Sequence, residues 1–476
     1  MPKPDAIPLP PLAAGASPEA LAAYLAAVAR ELPNLRVLTE PLDREAYRND
    51  EAIYLPADAP AAVAFPSSTA EVSTLLRLAS EHRVPVVPRG AGTGLSGGAA
   101  GIAGAVTIAL TRMDRILEVD RANLVVIAQP GVVNAALKAA VAAEGLFYPP
   151  DPASWETCTI GGNLGTNAGG LCCVKYGMTR DWVLGLQVVL ADGRVLRTGG
   201  KSVKDVAGYS LTHLFVGSQG TLGIITEATL RLIPAPGPRS TMLAFFPTLE
   251  AAGEAVTAMV AGGTIPVTLE LMDRETIGAV EDGYHLGLER TAEAMLLIES
   301  DAPGAAAAAE LDAAGRACAA AGATMQVRAQ DATEAEMLRN ARRLAGDALE
   351  LRGLAHGEDV GVPRARVPEL LRAIGRISAE SGLTIATFGH AGDGNFHPHL
   401  VYDRGDTAAE ARVLAVADRI IAAALELGGT VTAEHGVGTA RRAWLPIQVG
   451  EDAMGIMRAI KAALDPLGIL NPGRVL

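Results

Sequence analysis

The sequence predicts an α+β protein with a sheet-rich first lobe, a ferredoxin-like second domain and a helical C-terminal tail. Strand-like and helix-like runs alternate in the first lobe and then give way to short apolar runs rich in β-branched residues. The second domain is predicted from a strand-helix-strand-strand-helix-strand order, which begins after the proline-rich linker PAPGP at 234–238. The length of 476 residues agrees with two or three domains.

The first lobe opens with a helix-start signal. Ser17 supplies an N-cap, and Pro18 and Glu19 occupy the first turn, which predicts a helix that runs to about Glu31. The elements predicted after it are a strand at 61–65, a helix at 69–81, a strand at 84–88, short strands within 105–129, and two strands within 183–197 around the turn ADGR.

The second domain begins beyond the linker. Its predicted elements are a strand at 242–246, a helix at 248–261, strands at 268–271 and 294–299, a helix at 305–321, a strand at 324–328 and a long helix at 407–427. These patterns divide the chain into domains at 1–236 and 237–430 and a C-terminal segment at 431–476.

Charge and cysteine content exclude several classes of function. The formal net charge is −13 and no stripe of Lys and Arg is present, so nucleic acid is not an expected partner. Prolines interrupt the first 16 residues, and no run reaches the ~18 apolar residues of a membrane span, so neither a signal peptide nor a membrane helix is expected. The four cysteines form no C-x-x-C pair, which argues against an iron–sulfur cluster in this chain.

Glycine-rich segments dominate the first lobe. The first, PRGAGTGLSGG at 88–98, is of the kind that brings backbone amides close to a diphosphate. A Rossmann site also requires a helix directly after such a loop, and residues 99–105 do not supply one. Two further clusters, TIGGNLGTNAGG at 159–170 and DVAGYSLTHLFVGSQGTLGII at 205–225, make plain turns an insufficient explanation.

In their order and spacing these segments resemble the FAD-binding half of the vanillyl-alcohol oxidase / p-cresol methylhydroxylase superfamily. The resemblance implies a two-part FAD-binding lobe of the vanillyl-alcohol oxidase type. It also implies that the loops wrap the flavin and its diphosphate. Because residues 89–98 contain neither His nor Cys, we expect noncovalent FAD. The implied FAD-binding residues are Pro88, Gly90, Gly92, Thr93, Gly94, Leu95, Asp151, Ser154, Gly162, Gly165, Thr166, Asn167, Asp205 and Ile224.

A second polar cluster lies in HAGDGNFHPH at 390–399, which holds three of the eight histidines. His390 and His397 do not have the i, i+4 spacing of two ligands on one helix. They could converge if the GDGN segment is a turn between two strands. Neutral imidazoles suit zinc, iron or manganese, and a carboxylate would complete such a site.

The segment TAEHGVG supplies that carboxylate, Glu434, next to a further imidazole, His435. Together the two motifs resemble the flavin-dependent D-2-hydroxyacid dehydrogenases, a family that includes the large flavin subunit of bacterial glycolate oxidase, D-lactate dehydrogenase and D-2-hydroxyglutarate dehydrogenase. The resemblance implies that His390, His397 and Glu434 bind a divalent metal and that His435 is the catalytic base. It also implies that the C-terminal segment at 431–476 completes the active site.

An anionic substrate requires a cation, and Arg342-Arg343 in LRNARRLAG resembles the family segment whose arginine binds the substrate carboxylate. For either arginine taken singly, a position on a solvated helix face is as good an explanation as binding of the substrate. The hydroxyglutarate enzymes carry a lysine further along, where this chain reads HGEDVGVP, and an asparagine where this chain has His399. A small monocarboxylic substrate is therefore expected.

The implied reaction is oxidation of glycolate or D-lactate to the 2-oxo acid, with hydride passing to N5 of FAD and the metal polarising the hydroxyl group. The implied partners are a separate electron acceptor, with a second flavin subunit and an iron–sulfur subunit left open. The expected compartment is the cytoplasm, with attachment to the inner membrane through partners also left open. Two alternatives are a non-redox ether-lipid-synthase-like enzyme and a noncatalytic FAD-binding partner subunit; the histidine cluster disfavours both.

Overall fold

The computed structural model describes residues 14–403 and 405–476, without the side chains of residues 410 and 411. Most of the proline-rich start of the chain lies outside the described residues. The predicted first domain begins there, and the prediction that it holds no signal peptide concerns the same residues. Backbone contacts divide the described chain into two compact units. We call residues 14–169, 178–235 and 434–476 the glycine-rich unit, and residues 170–177 and 236–433 the histidine unit.

Strands and helices alternate along both units. The strands are β1 (Arg36–Leu38), β2 (Ala62–Phe65), β3 (Val86–Arg89), β4 (Val106–Ala109), β5 (Ile116–Asp120), β6 (Val125–Ala128), β7 (Leu146–Phe147), β8 (Val183–Val189), β9 (Val195–Gly199), β10 (Ile224–Arg231), β11 (Ile233–Pro234), β12 (Ser240–Phe246), β13 (Thr268–Asp273), β14 (Ala294–Ser300), β15 (Met325–Arg328), β16 (Leu354–Gly357), β17 (Val360–Gly361), β18 (Thr384–His390) and β19 (Asn395–Tyr402). The helices are α1 (Pro18–Glu31), α2 (Pro41–Glu45), α3 (Thr69–His82), α4 (Asn134–Ala142), α5 (Ile160–Thr166), α6 (Cys173–Tyr176), α7 (Leu211–Phe215), α8 (Leu249–Ala261), α9 (Arg274–Tyr284), α10 (Ala305–Ala320), α11 (Ala332–Arg343), α12 (Ala345–Arg352), α13 (Val367–Ser381), α14 (Thr407–Glu426) and α15 (Leu445–Leu464).

The glycine-rich unit contains two main sheets. In the first, of order β1-β2-β4-β3, strands β2 and β3 run parallel to β4, while β1 is antiparallel to β2. The second is antiparallel, of order β5-β6-β10-β8-β9. The predicted helix after Ser17 is confirmed, because the Ser17 side chain accepts a hydrogen bond from the Ala20 amide and α1 ends at Glu31. The predicted turn within 183–197 is also confirmed as the β8–β9 hairpin.

One glycine cluster differs from its prediction as a loop. Residues Ile160–Thr166 form the short helix α5, although glycine is a poor helix former. The Thr159 side chain caps it by accepting from the Gly162 amide, and Asn167 ends it at φ 55°. Local capping, together with burial of Ile160 and Leu164, outweighs the low helix propensity of the glycines.

The histidine unit is built on one antiparallel sheet of order β15-β12-β14-β13-β18-β19-β16, with β17 paired to β19. Its first four strands have the order of a ferredoxin-like sandwich, with α8 and α10 in the two crossover connections. The sequence prediction missed α9, which lies between β13 and β14 and is capped by the Asp273 side chain. Strands β18, β19 and β16 extend the sheet beyond β13 and carry the histidines.

Each unit has its own apolar core. In the histidine unit, Met272, Met295 and Leu297 from the sheet pack with Ala345 and Leu349 from α12. The predicted helical tail contains α15, which ends at Leu464 and whose helical backbone is interrupted by Gly450 at φ 80°. Within residues 14–403 and 405–476, no helix combines the length and the apolar character that crossing a bilayer requires.

Candidate active site

A pocket of about 380 Å³ opens among the glycine-rich segments of the glycine-rich unit. This volume lies in the range of small-molecule and cofactor sites. Its walls come from the loop after β3, the segment 152–169 that contains α5, the loop before β10, and two residues near the C-terminal end, Glu434 and His435. The three glycine clusters therefore meet at one cavity.

Glycine is required at several points of this wall because the backbone passes so close to neighbouring side chains that no Cβ fits there. A Cβ at Gly90 would lie against Thr159 Oγ1, closer than real Cβ atoms approach other atoms. Gly220 has φ +70°, and a Cβ there would strike Pro88. At Gly165, by contrast, a Cβ would meet nothing within 4 Å. Glycines leave main chain exposed in parts of this wall, where backbone amides can bind an anionic cofactor.

Most of the FAD-binding residues predicted from the sequence line this pocket. They are Pro88, Gly90, Gly92, Thr93, Gly94, Leu95, Ser154, Gly162, Gly165, Thr166 and Ile224. Asp151, Asn167 and Asp205 lie outside the lining. Asn167 instead accepts a hydrogen bond from the Arg180 amide, and Asp205 is exposed and accepts one from the Ala207 amide.

Sequence reasoning missed two buried charged residues in the pocket wall. Asp50 and Arg89 both line the pocket and both are buried. Burial raises the pKa of Asp50, although the Ala99 and Ala52 amides and the Arg89 charge act in the opposite direction. Arg89 stands inside the quoted motif PRGAGTG, so its position was available as a signal. No motif marks Asp50.

The segment that carries Glu434 and His435 is fastened to the pocket loops by hydrogen bonds. Ser96 Oγ donates to the His435 carbonyl oxygen at 3.0 Å, and Gln219 Nε2 donates to Ser96 Oγ at 3.2 Å. The Gly438 amide donates to Gln219 Oε1 at 2.7 Å. The backbone that follows the His435 side chain is therefore held by residues of two glycine clusters.

In the histidine unit, the GDGN segment is a turn between β18 and β19, which is the arrangement that allows the two histidines to converge. Register pairs His390 with Asn395, Phe388 with His397, and Ala386 with His399. Residues paired across antiparallel strands project from the same side of the sheet. We call this side the histidine face; its polar and aromatic members are Glu270, Phe388, His390, Asn395, His397 and His399, together with Asp359, which contacts Asn395 and His397.

His390 and His397 lie together at the end of the hairpin. Their ring centroids are 5.3 Å apart at 84°, and both residues are buried. His390 Nδ1 lies 2.7 Å from Glu270 Oε1. Burial raises the pKa of Glu270, but the charges of His390 and Arg342 outweigh this and hold the pKa below its usual value. An ionised Glu270 accepts the proton on His390 Nδ1, so the lone pair of the neutral ring is at Nε2.

Arg342 reaches the same carboxylate from α11. Its Nε lies 2.9 Å from Glu270 Oε2, and its Cζ lies 4.5 Å from the centre of the Phe388 ring. The side chain is 9% exposed, so a solvated helix face does not describe this arginine. Arg343, by contrast, is 42% exposed and pairs with Glu336 on the surface. His399 stacks on Phe388 at 4.7 Å, with its Nδ1 2.8 Å from the His397 carbonyl oxygen.

Asp359 supports the second histidine. Its Oδ1 lies 4.0 Å from His397 Nδ1 and accepts from Asn395 Nδ2 at 2.8 Å. Its Oδ2 accepts from Thr432 Oγ1 at 2.6 Å and from the Ala433 amide at 2.8 Å. Asp359 therefore ties the hairpin to the chain segment that ends directly before Glu434.

The sequence prediction missed both Glu270 and Asp359. Glu270 stands 120 residues before His390, inside the apolar strand TLELMD, and no local motif connects them. An acid in a strand whose neighbours are all buried was the available signal, since a buried charge is normally paired. Asp359 falls in the segment HGEDVGVP, where the sequence prediction considered the absence of a lysine and not the acid.

The donor set fits a divalent metal. Ligand atoms of His390 and His397 lie within 4.8 Å of each other. A histidine that binds a metal commonly donates its other ring N–H to a carboxylate, and the Glu270–His390 contact has this form. The Ala433 amide donates to Asp359, and the next residue in the chain is Glu434, which carries a carboxylate. Within the histidine unit, His390 and His397 are the residues that could hold the ion.

Comparison with known proteins identifies the chain's relatives. Residues 235–475 match the C-terminal domain of FAD linked oxidases, and residues 60–199 match an FAD binding domain. The chain is 45% identical to the glycolate oxidase subunit GlcD of Bacillus subtilis (strain 168) over 417 residues, which cover 87% of this chain and 89% of that protein. The chain belongs to the FAD-linked oxidases.

Other relatives agree with this assignment. A D-lactate dehydrogenase of Archaeoglobus fulgidus is 38% identical over 90% of this chain and 95% of its own length. The solved structure of p-cresol methylhydroxylase with substrate bound has a TM-score of 0.79 at 18% identity and covers 97% of this chain and 98% of that one. The predicted resemblance and fold class are thereby confirmed: this member of the FAD-linked oxidases is an FAD-dependent oxidoreductase of α+β architecture.

Proposed function

We propose that this FAD-linked oxidase converts a small 2-hydroxy acid, glycolate or D-lactate, to the corresponding 2-oxo acid. The observation that carries the proposal is the histidine face, where one buried carboxylate, Glu270, holds both a histidine, His390, and an arginine, Arg342. Such a face offers a metal ligand and an anion-binding group to one small molecule. The printed names of the relatives, glycolate oxidase subunit and D-lactate dehydrogenase, support the same substrate class.

Arg342 binds the substrate carboxylate in this proposal. Its Nε lies against Glu270 Oε2, and in this proposal the terminal guanidinium nitrogens bind the substrate through charge-assisted hydrogen bonds. Stacking on Phe388 restricts the guanidinium plane. A guanidinium already held in place loses less entropy when the substrate carboxylate binds.

His435 accepts the proton of the substrate hydroxyl group. Ser96 Oγ donates to the His435 carbonyl oxygen and Gln219 Oε1 accepts from the Gly438 amide, so the backbone that follows His435 is held, which limits the positions of its ring. His390, His397 and Glu434 would hold a divalent ion, zinc, manganese or iron, which would act as a Lewis acid towards that hydroxyl group. The glycine-lined pocket would hold FAD, which would supply the two-electron acceptor, at N5, for the hydrogen on Cα.

The roles of the segments follow from this mechanism. Residues 1–236 provide the FAD-binding domain, residues 237–430 the substrate-binding domain, and residues 431–476 bring Glu434 and His435 to complete the site. The contact boundaries at 235/236 and 433/434 support this division. Asp151, Asn167 and Asp205 remain proposed FAD-binding residues on the family resemblance alone.

We propose that FAD is held without a covalent bond. Among the described residues that line the pocket, His435 is the one imidazole and no thiol is present, and His435 is assigned as the base. Acid precipitation of the purified yellow protein should therefore leave intact FAD in the supernatant. Flavin that stays in the pellet would contradict the proposal.

Electrons leave through a separate acceptor. The Bacillus relative is named as a subunit, which supports a partner for this chain as well. Its four cysteines, Cys158, Cys172, Cys173 and Cys318, form no C-x-x-C pair, so an iron–sulfur centre would belong to another polypeptide. A second flavin subunit and an iron–sulfur subunit are the proposed partners.

The test is a substrate panel with an artificial electron acceptor. We expect turnover of glycolate or D-lactate, with a higher kcat/KM than for D-2-hydroxyglutarate, because no lysine stands in the segment HGEDVGVP. The control is dithionite, which must reduce the bound FAD. If dithionite reduces the flavin and no 2-hydroxy acid is turned over, the proposed activity is wrong and a non-redox or noncatalytic role takes its place.

A further inference from the structure

Two arginines of α11 reach into the histidine face and end on two buried glutamates. Arg339 Nε lies 2.8 Å from Glu299 Oε1, and one helical turn later Arg342 Nε lies 2.9 Å from Glu270 Oε2. Glu299 is 0% exposed and Glu270 is 1% exposed. They stand on neighbouring strands, because Glu270 pairs with Leu297 and Thr268 pairs with Glu299. The two ion pairs are therefore close repeats of one arrangement.

The pairs differ in what the second carboxylate oxygen contacts. Glu299 Oε2 lies 2.9 Å from Arg239 Nη1, so Glu299 is shared by two arginines. Glu270 Oε1 lies 2.7 Å from His390 Nδ1. Glu299 thus balances charge, whereas Glu270 connects an arginine with a histidine.

We infer that Glu270 is a positioning residue, whose single carboxylate fixes the orientation of both the substrate-binding arginine, Arg342, and the metal-binding histidine, His390. The inference rests on the proposed function for the roles of Arg342 and His390, and it adds a residue to which no motif points. The two carboxylate oxygens belong to one rigid planar group. A change in Glu270 therefore acts on metal affinity and on substrate capture together.

Energetics strengthen this role. Removing one partner of a buried ion pair leaves an uncompensated charge, which is far more costly than losing an exposed pair. The Glu270 carboxylate lies against the Arg342 guanidinium and offers His390 Nδ1 a hydrogen-bond partner, so the ring can turn its Nε2 to a metal. The alternative, a purely structural Glu270, predicts loss of stability without a selective change in either binding event.

The test compares Glu270→Gln with Glu299→Gln. The control variant loses a buried carboxylate that pairs with the same helix but does not contact a histidine. Zinc and manganese are titrated calorimetrically into protein stripped with a chelator, and KM and kcat are measured with glycolate. We expect Glu270→Gln to bind metal about 10- to 100-fold more weakly and to raise KM. Glu299→Gln should keep the wild-type metal affinity.

Arg342→Gln separates positioning from collapse of the site. It leaves the Glu270–His390 contact in place, so metal affinity should stay at the wild-type value while KM rises. If Glu270→Gln unfolds, Glu270→Asp keeps the charge and should weaken metal binding without loss of the cooperative melting transition. Wild-type metal affinity in a folded Glu270→Gln would overturn the inference, as would an equal loss in Glu299→Gln.

These outcomes are independent of the activity. A wild-type protein that binds metal but oxidises no 2-hydroxy acid contradicts the proposed function and leaves the metal part of the inference standing. A wild-type protein that oxidises glycolate, with unchanged metal affinity in Glu270→Gln, contradicts the inference alone.

Discussion

The pocket of the glycine-rich unit is shaped by glycines that leave no room for a Cβ, whereas the histidine face is made of side chains whose charges are buried. In the pocket, Gly90 and Gly220 are needed because a Cβ would strike Thr159 or Pro88. On the histidine face, His390 and Arg342 depend on Glu270. The first kind of site is sensitive to added atoms, and the second is sensitive to lost charge. The two regions should therefore fail in different ways when mutated.

The largest separable effect is expected at His435. Replacement by Ala removes the proposed proton acceptor while leaving the backbone hydrogen bond from Ser96 Oγ to residue 435 possible. FAD and metal content should stay at wild-type values. The rate of anaerobic flavin reduction, measured by stopped-flow absorbance, should fall by about 10²- to 10⁴-fold, as for loss of a general base. A rate close to wild type would remove His435 from the mechanism.

A smaller loss is expected at Arg342. Arg342→Ala removes charge-assisted hydrogen bonds worth about 1.5–3 kcal/mol each, so kcat/KM for glycolate should fall by roughly 10- to 100-fold, mainly through KM. Arg343→Ala is the matched control, because Arg343 is the next residue of α11 and is exposed beside Glu336. Equal kinetics of the two variants would mean that Arg342 does not bind the substrate.

The smallest expected effect lies in the pocket. Gly90→Ala places a methyl group against Thr159, and overpacking of this kind costs about 1–3 kcal/mol. We expect the low end of that range, ~5-fold weaker FAD binding, because the methyl group meets the end of one side chain, which can shift at the cost of its hydrogen bond from the Gly162 amide. Metal content should not change. Gly200→Ala is the control, since a Cβ there would meet nothing within 4 Å; FAD affinity is measured by titrating the apoprotein.

The contrast between the two regions also explains how much the sequence could predict. The pocket was predictable because its glycines are clustered in the sequence. The clusters at 88–98 and 159–170 indicate a backbone that approaches its neighbours closely. The same composition hid α5, since the capping of Ile160–Thr166 by Thr159 depends on side-chain geometry that glycine counts do not reveal.

For the histidine face, the hairpin that carries the histidines was predictable, but the buried carboxylate Glu270 that contacts His390 was not. The GDGN segment has turn chemistry, and placing it between strands brings His390 near His397. Glu270 enters only through sheet register, because β13 pairs with β18 across more than a hundred residues of chain. Long-range pairing of this kind is decided by the whole sheet and not by a local pattern.

Metal removal tests the central claim, that one region holds the flavin while the other, with its metal, makes substrate oxidation possible. Purified protein is treated with a chelator, and FAD content and the rate of anaerobic flavin bleaching by glycolate or D-lactate are measured on the same sample. The account predicts that FAD stays bound, that bleaching is lost, and that zinc or manganese restores it. Metal-free protein that bleaches its flavin at the wild-type rate would contradict the account.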